Sequence, residues 1–118
     1  MALEEELYDI EQGFWLDGKE HFLTHVDVRC LLAFPQAGEM HGVHSREEVA
    51  ATATNANRWR DLRMGNRQFL NGGDDFAIIS YRADVTRADG EPYAALVSSA
   101  YVRRPEAWKL VLHQHSPI

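Results

Sequence analysis

The chain closes on two runs of alternating residues that constrain the fold more than anything else in it. Tyr101-Val-Arg-Arg104 and Trp108-Lys-Leu-Val-Leu-His-Gln-His-Ser116 are joined at Pro105-Glu106, and the second run stops at Pro117. Alternation with a period of two is the pattern of strands, and a Pro-Glu pair between two such runs is a turn. The hairpin aims polar groups at both of its faces, so the division of those faces decides where any chemistry sits.

The strands continue upstream. Phe76 to Arg87 and Pro92 to Arg104 flank Asp89-Gly90, while Leu62, Met64, Gln68 and Leu70 alternate before Asn71-Gly-Gly-Asp-Asp75 turns the chain. The first half differs. Leu3, Leu7, Ile10 and Phe14 recur at helical spacing and predict a helix over residues 2–15 with its acids at the N-terminal end. Asp17 and Glu20 form a capping pair for a second short helix that buries Phe22, Leu23 and Val26. Asp27 to Phe34 reads as a strand ended by Pro35, and Gln36 to Val43 as a loop or short hairpin. Ser45-Arg-Glu-Glu48 is a capping box, opening a helix through Val49, Ala53 and Ala56 towards Trp59. Helices followed by a run of antiparallel strands make an α+β fold, in which helices cover one face of a curved, mainly antiparallel sheet. Its concave side is only partly filled by the helices, so a pocket is expected there.

Length and charge narrow the classes. A chain of 118 residues is one domain, 1–118, with no repeat or linker. A net charge of -6 argues against phosphate-backbone binding, so nucleic acid is not an expected partner. Arg58, Arg60, Arg63 and Arg67, interleaved with Asp61, read as a solvated strand face. The longest apolar run, Cys30 to Phe34, is far short of a membrane span, and Leu3-Glu-Glu-Glu-Leu7 lacks the basic start of a signal peptide. A cytoplasmic protein with no membrane partner is therefore expected. The single cysteine, Cys30, reads as a small buried hydrophobe in a reducing compartment.

The order of elements, Trp15 near the first helix, the Phe34-Pro35 strand end, the capped third helix and the Tyr101 to Pro117 hairpin together resemble the nuclear-transport-factor-2-like superfamily. More closely they resemble its SnoaL-like branch of small bacterial proteins, mostly of unassigned function. Ser98-Ser-Ala-Tyr-Val-Arg-Arg104 and Trp108 to Pro117 carry the likeness best, and the latter also resembles the end of the association domain of calcium/calmodulin-dependent kinase II. The resemblance implies a cone-shaped, cystatin-like α+β fold of three N-terminal helices on a strongly curved sheet. It also implies a pocket inside the cone and a homodimer formed through the outer sheet surface. It implies no single reaction, since the superfamily hosts isomerases, dehydratases, cyclases and non-catalytic binders.

A tight turn at Asp89-Gly90 would set Ser80 opposite Ser99 and Arg82 opposite Val97, with Tyr101 opposite Leu110. Ser80, Arg82, Ser99, Tyr101 and Gln114 would then face the cavity with Trp15 and Trp59 as its walls, forming the expected ligand-binding set. Tyr81, Ser98, Val102, Val111, His113 and His115 would face a second subunit on the convex side. Ser80 and Ser99 fall where the kinase association domain carries pocket arginines, so its anion binding does not transfer. The resemblance to ketosteroid isomerases also breaks at one point: their proton-abstracting aspartate precedes a proline, and here that position is Phe34, whose ring cannot act as a base.

His21 and His25 share a helix face at i, i+4, but Phe22 stands where a zinc protease has its Glu, and no third ligand is specified, so no metal or other cofactor is expected. Beside a purely structural or regulatory dimer whose cone is filled by its own side chains, two functions stay open. One is a dimeric binding module for a small, mostly apolar molecule bearing one acceptor or acid group. The other is a small acid/base enzyme, an isomerase, dehydratase or hydrolase, using Tyr101 with Asp27 or His41.

Overall fold

A computed structural model describes residues 2–34, 41–53 and 58–118. Helix α1 (Leu3–Leu16) follows the predicted stripe: Leu7, Tyr8, Ile10, Phe14 and Trp15 are buried along one face, and Glu4, Glu5 and Glu6 occupy the first turn, where the helix dipole favours negative charge. One member of the buried face is unexpected, the carboxylate of Glu11. Helix α2 (Lys19–His25) does not start on the Asp17–Glu20 pair, for Gly18 is its N-cap and makes no side-chain bond. Asp17 stands instead 3.6 Å from His21 Nδ1. The two helices pack closely because Gly13 has no side chain; a Cβ there would lie within the His21 ring, whose Nε2 is 2.8 Å from the Ile10 carbonyl.

The remaining elements are β1 (Val26–Ala33), β2 (Gly42–Ser45), α3 (Arg46–Ala51), β3 (Trp59–Asn71), β4 (Phe76–Arg87), β5 (Pro92–Arg103) and β6 (Trp108–Pro117). Strand β2 lies at the end of the segment expected to be a loop or hairpin; residues 36–40 of that segment are outside the described residues. The capping box is formed in both directions. Glu48 N–H donates to Ser45 Oγ at 3.1 Å and Ser45 N–H to Glu48 Oε1 at 2.8 Å. The helix it opens stops at Ala51, short of the expected Ala53, and its expected continuation to Ala56 falls outside the described residues.

Three helices thus accompany one mixed, six-stranded sheet of order β2-β1-β6-β5-β4-β3, in which only the β1–β6 pair is parallel. The architecture is α+β as expected. No described helix is long and apolar enough to cross a membrane.

Two one-residue effects set the faces. The β4–β5 connection is the three-residue loop Ala88-Asp89-Gly90, closed by Arg87 N–H to Glu91 O at 2.8 Å, with Gly90 at φ 93°. An odd loop moves the register by one, so Ser80 pairs with Ser98 and Tyr81 with Val97. Further on, Tyr101 pairs with Leu110 as expected but Ala100 pairs with Leu112, which leaves Val111 as a bulged extra residue. A bulge reverses the facing of everything beyond it. The helix-facing side therefore carries Ala77, Ile79, Tyr81, Ala83 and Val85 of β4, Ala95, Val97, Ser99 and Tyr101 of β5, and Leu110, His113 and His115 of β6. Strand β3 has two more irregularities, beside Asp61 (φ 56°) and Asn66 (φ 50°), residue types that tolerate the left-handed conformation.

On the opposite side, Val43, Leu31, Leu112, Ala100, Ile78 and Leu70 pair successively across all six strands and form one apolar row. Its ends are exposed, with Val43 at 64% and Leu70 at 61%.

Removing the Ser45 hydroxyl leaves an unsatisfied N–H at the start of α3. Ser45→Ala should cost about 1 kcal/mol while Ser45→Asp restores most of it, read from urea midpoints at unchanged slope.

Candidate active site

Glu11 lies four residues from Leu7 and four from Trp15, so α1 carries its carboxylate into the core with them. It is fully buried. A bare carboxylate there would cost several kcal/mol, roughly, so its lone pairs must be filled. Tyr101 OH donates to Oε1 at 2.5 Å, and Tyr81 OH and Ser99 Oγ each donate to Oε2 at 2.6 Å. His113 Nδ1 stands 3.3 Å from Oε2 and 2.7 Å from Ser99 Oγ. Trp15 Nε1–H completes the inner shell by donating to Tyr81 OH at 2.8 Å.

Burial pulls the Glu11 carboxyl upward, but the His113 charge and the hydrogen bonds from His113, Ser99 and Tyr101 outweigh it and hold the group down at about 2. Both phenols that face it are pushed well above their ordinary value, by burial first and then by the Glu11 charge. They act here as donors. The neighbouring Cys30 thiol is raised to about 12 by burial and by the Glu11 and Asp27 charges, which makes it an inert core residue.

From His113 the network runs outward to a cavity. His113 Nε2 and His115 Nε2 are 3.0 Å apart, and His115 Nδ1 is 3.1 Å from Tyr93 OH. The His115 ring stacks on Trp15, with centroids 5.0 Å apart and planes 12° from parallel. Burial, and next the His113 charge, push His115 down to about 3. Both histidines border a cavity of about 480 Å³ whose other walls include Phe14, Trp15, Phe22, Phe34 and Trp59. Arg58, Arg87 and Asp89 add charge to its lining. Arg87 lies 4.7 Å above the Tyr93 ring and 5.6 Å from that of Trp59, while Arg58 Nη2 donates to the Phe14 carbonyl at 2.9 Å.

The expected ligand set divides. Trp15 and Trp59 do line the cavity. Ser99 and Tyr101 face the helices but are sealed behind the wall on Glu11. Ser80, Arg82 and Gln114 are on the other side of the sheet, because the odd loop and the Val111 bulge each shift the facing by one. Ser80 Oγ donates to Val97 O, Arg82 pairs with Asp84 at 3.0 Å, and Gln114 donates to Ser116.

The expected interface set is corrected in the same way. Tyr81, His113 and His115 point into the cone, whereas Ser98 and Val102 keep the outward facing of their register and Val111 is the half-buried bulge residue. Asp27 cannot serve as a base at the cavity: Arg104 holds it with two bonds, at 3.0 and 2.7 Å, and that hydrogen bonding lowers its carboxyl. His41 is exposed and is not part of the cavity lining. His21 and His25 are adjacent, ring centroids 4.3 Å apart, but no three of the described His, Cys, Asp and Glu side chains are grouped to hold a metal ion.

Glu11 is the principal residue that the strand-based reading missed. Its signal was a lone acid inside the apolar stripe Leu7, Ile10, Phe14.

Replacing the buried ion without its charge tests the network. Glu11→Gln puts an amide N–H₂ among three donors and should cost roughly 3 kcal/mol in urea unfolding. The pH dependence has a definite sign. His115, ordinarily near 6.5, is depressed to about 3 and Glu11, ordinarily near 4.5, to about 2, so both stabilise fully above their ordinary values. Stability measured by urea midpoint should start to decline as pH falls below 6.5, and steepen below 4.5.

No family model matches the chain. No curated protein matches it either. Solved structures do. An NTF2-like protein from Cytophaga hutchinsonii superposes with a TM-score of 0.80 at 11% identity, covering 100% of each chain. A protein of unknown function with a cystatin-like fold from Nostoc punctiforme gives a TM-score of 0.73 at 18% identity, over 100% of this chain and 93% of that one. The association domain of C. elegans CaMKII gives 0.71 at 15% identity, over 95% and 90%. These likenesses do not single out the SnoaL-like branch. With the element order, the curved sheet and the cavity under the helices, they establish that this chain has the nuclear-transport-factor-2-like, cystatin-like fold.

Proposed function

We propose that this chain acts as one small-molecule-binding domain whose ligand is a compact, mainly apolar organic anion carrying an aromatic or similar flat ring. The observation that carries this reading is the composition of one cavity: about 480 Å³, aromatic walls from Phe14, Trp15, Phe34 and Trp59, and cationic or polar groups from Arg58, Arg87, His113 and His115. That volume lies in the usual range for small-molecule sites, and convergent polar groups in an apolar wall fix a ligand's orientation. A chain of net charge -6 has no general attraction for anions, so selectivity for one rests on these local groups.

A second reading, acid/base catalysis, is favoured by the contact between His113 and His115 at the cavity wall. It replaces the expected Tyr101 with Asp27 or His41, since Glu11 holds Tyr101, Arg104 holds Asp27, and His41 is exposed outside the cavity lining. Self-association through the outer sheet surface fits the apolar row from Val43 to Leu70 and the likeness to an association domain. The buried, lone Cys30 fits a cytoplasmic setting.

Benzoate and phenylacetate, each beside its neutral amide, are suitable first probes for thermal shift and calorimetry. The carboxylates should raise the midpoint and Trp59→Ala should weaken them about tenfold or more, with the fold retained by circular dichroism. Absence of binding by every probe would sink the ligand reading, and conversion of a bound probe that stops in His115→Asn would decide for catalysis. For self-association, Leu112→Glu should shift the sedimenting species towards monomer; an unchanged mass would remove the outer row as an interface.

A further inference from the structure

The His113–His115 contact fixes where protons sit. Two imidazole nitrogens 3.0 Å apart need one proton between them, so one ring donates and the other accepts. The inner partners decide which. Ser99 gives its own proton to Glu11 at 2.6 Å, so its oxygen must accept from His113 Nδ1–H at 2.7 Å. A neutral His113 then has only a lone pair at Nε2, and His115 Nε2–H points at it. His115 Nδ1 is left to accept from Tyr93 OH, 3.1 Å away. Each group donates to the next along Tyr93, His115, His113, Ser99 and Glu11.

Adding a proton at the outer end reverses half of this chain. A proton taken by His115 Nδ1 displaces the His115 Nε2 proton across 3.0 Å to His113 Nε2. His115 is neutral again, with its proton on Nδ1, and His113 is an imidazolium 3.3 Å from Glu11 Oε2. No bond to carbon changes and one proton is gained. A second proton would set two N–H groups against each other across the same 3.0 Å, so the pair holds one. The depressed His115 agrees with that limit, and the ionised Glu11 supplies the opposing charge.

The surroundings leave this exchange to the cavity. From α1 the pair meets Glu11 and the Trp15 ring; just past the end of β1, Phe34 at 4.6 Å from His115; from β5, Ser99, Tyr93 and, through Glu11, Tyr101. Tyr81 of β4 reaches it only through Glu11. Helices α2 and α3 and the C-cap of α3 contribute Phe22, Val49 and Thr52 to the cavity, none of them charged, and its remaining charged groups among the described residues are Arg58, Arg87 and Asp89.

We infer that the ligand of this cavity is a weak organic acid, bound as its anion while the His113–His115 pair takes up one proton. A carboxylic acid or an acidic phenol entering protonated gives its proton to the pair by way of the Tyr93 hydroxyl, which passes its own proton to His115 Nδ1 3.1 Å away, and stays as the anion beside the arginines. One entering as the anion draws the proton from solvent. The inference rests on the ligand reading above and adds its substrate class and its pH dependence: wherever one proton is taken up per anion bound, affinity should fall about tenfold per pH unit.

Calorimetry of benzoate and benzamide binding at pH 7.5, in buffers of different ionisation enthalpy, counts the protons. Uptake approaching one per benzoate, none for benzamide, and loss of the benzoate uptake in His113→Gln are expected. Benzoate that binds with no uptake would overturn the coupling and leave the ligand reading standing, whereas no heat from either compound would overturn both. Ring nitrogen-15 shifts in the ligand-free protein give a measurement independent of any ligand. They should show one proton added to the pair, with His115 exchanging Nε2–H for Nδ1–H; two rings titrating independently would overturn the inference.

Discussion

One negative charge fully buried from solvent organises this molecule. Glu11 reaches the core on α1, and its lone pairs are filled by Tyr81 from β4, by Ser99 and Tyr101 from β5, and by His113 from β6. Apolar packing is tolerant of small slips, because one methylene can replace another at little cost. Hydrogen bonds of 2.5–2.6 Å to a buried carboxylate are not, and an unfilled one carries the desolvation penalty of the charge. The position of α1 along the sheet is therefore specified more sharply than its apolar stripe alone would do. Helix α2 inherits that position through the close approach of His21 to Gly13.

Much of the architecture was legible because its signals are local. The stripe Leu3 to Phe14, the Ser45–Glu48 box and the alternating runs from Phe76 onward each name an element without reference to the rest of the chain, and each element is there. The site was less legible because it depends on counts that local patterns do not carry. Asp89-Gly90 reads equally well as a two-residue turn or as part of the three-residue loop that forms, and nothing in Leu110-Val-Leu112 marks the middle residue as a bulge. Those two counts exchange Ser80, Arg82 and Gln114 for Tyr81, His113 and His115 on the cavity side. Trp15 and Trp59 line the cavity, and neither depends on the register of the last three strands.

The Phe34 position shows how a departure from a known pattern can carry information of its own. Where ketosteroid isomerases have an acid, this chain has a ring that packs against both histidines, 4.6 Å from His115 and 5.8 Å from His113 by centroids. The histidines that border the cavity come from β6, and the carboxylate behind them is set deep on α1 rather than at the cavity wall. With Glu11 kept behind the histidines, Asp89 is the acid among the described residues of the cavity wall.

Arg58 has one side in the cavity and the other on the last turn of α1, where it donates to the carbonyls of Phe14 and Asp17. It is thus the cap on the negative end of the very helix that carries Glu11. Helix termination and cavity electrostatics draw on the same guanidinium, so a change at Arg58 would disturb the end of α1 and the charge of the cavity lining together.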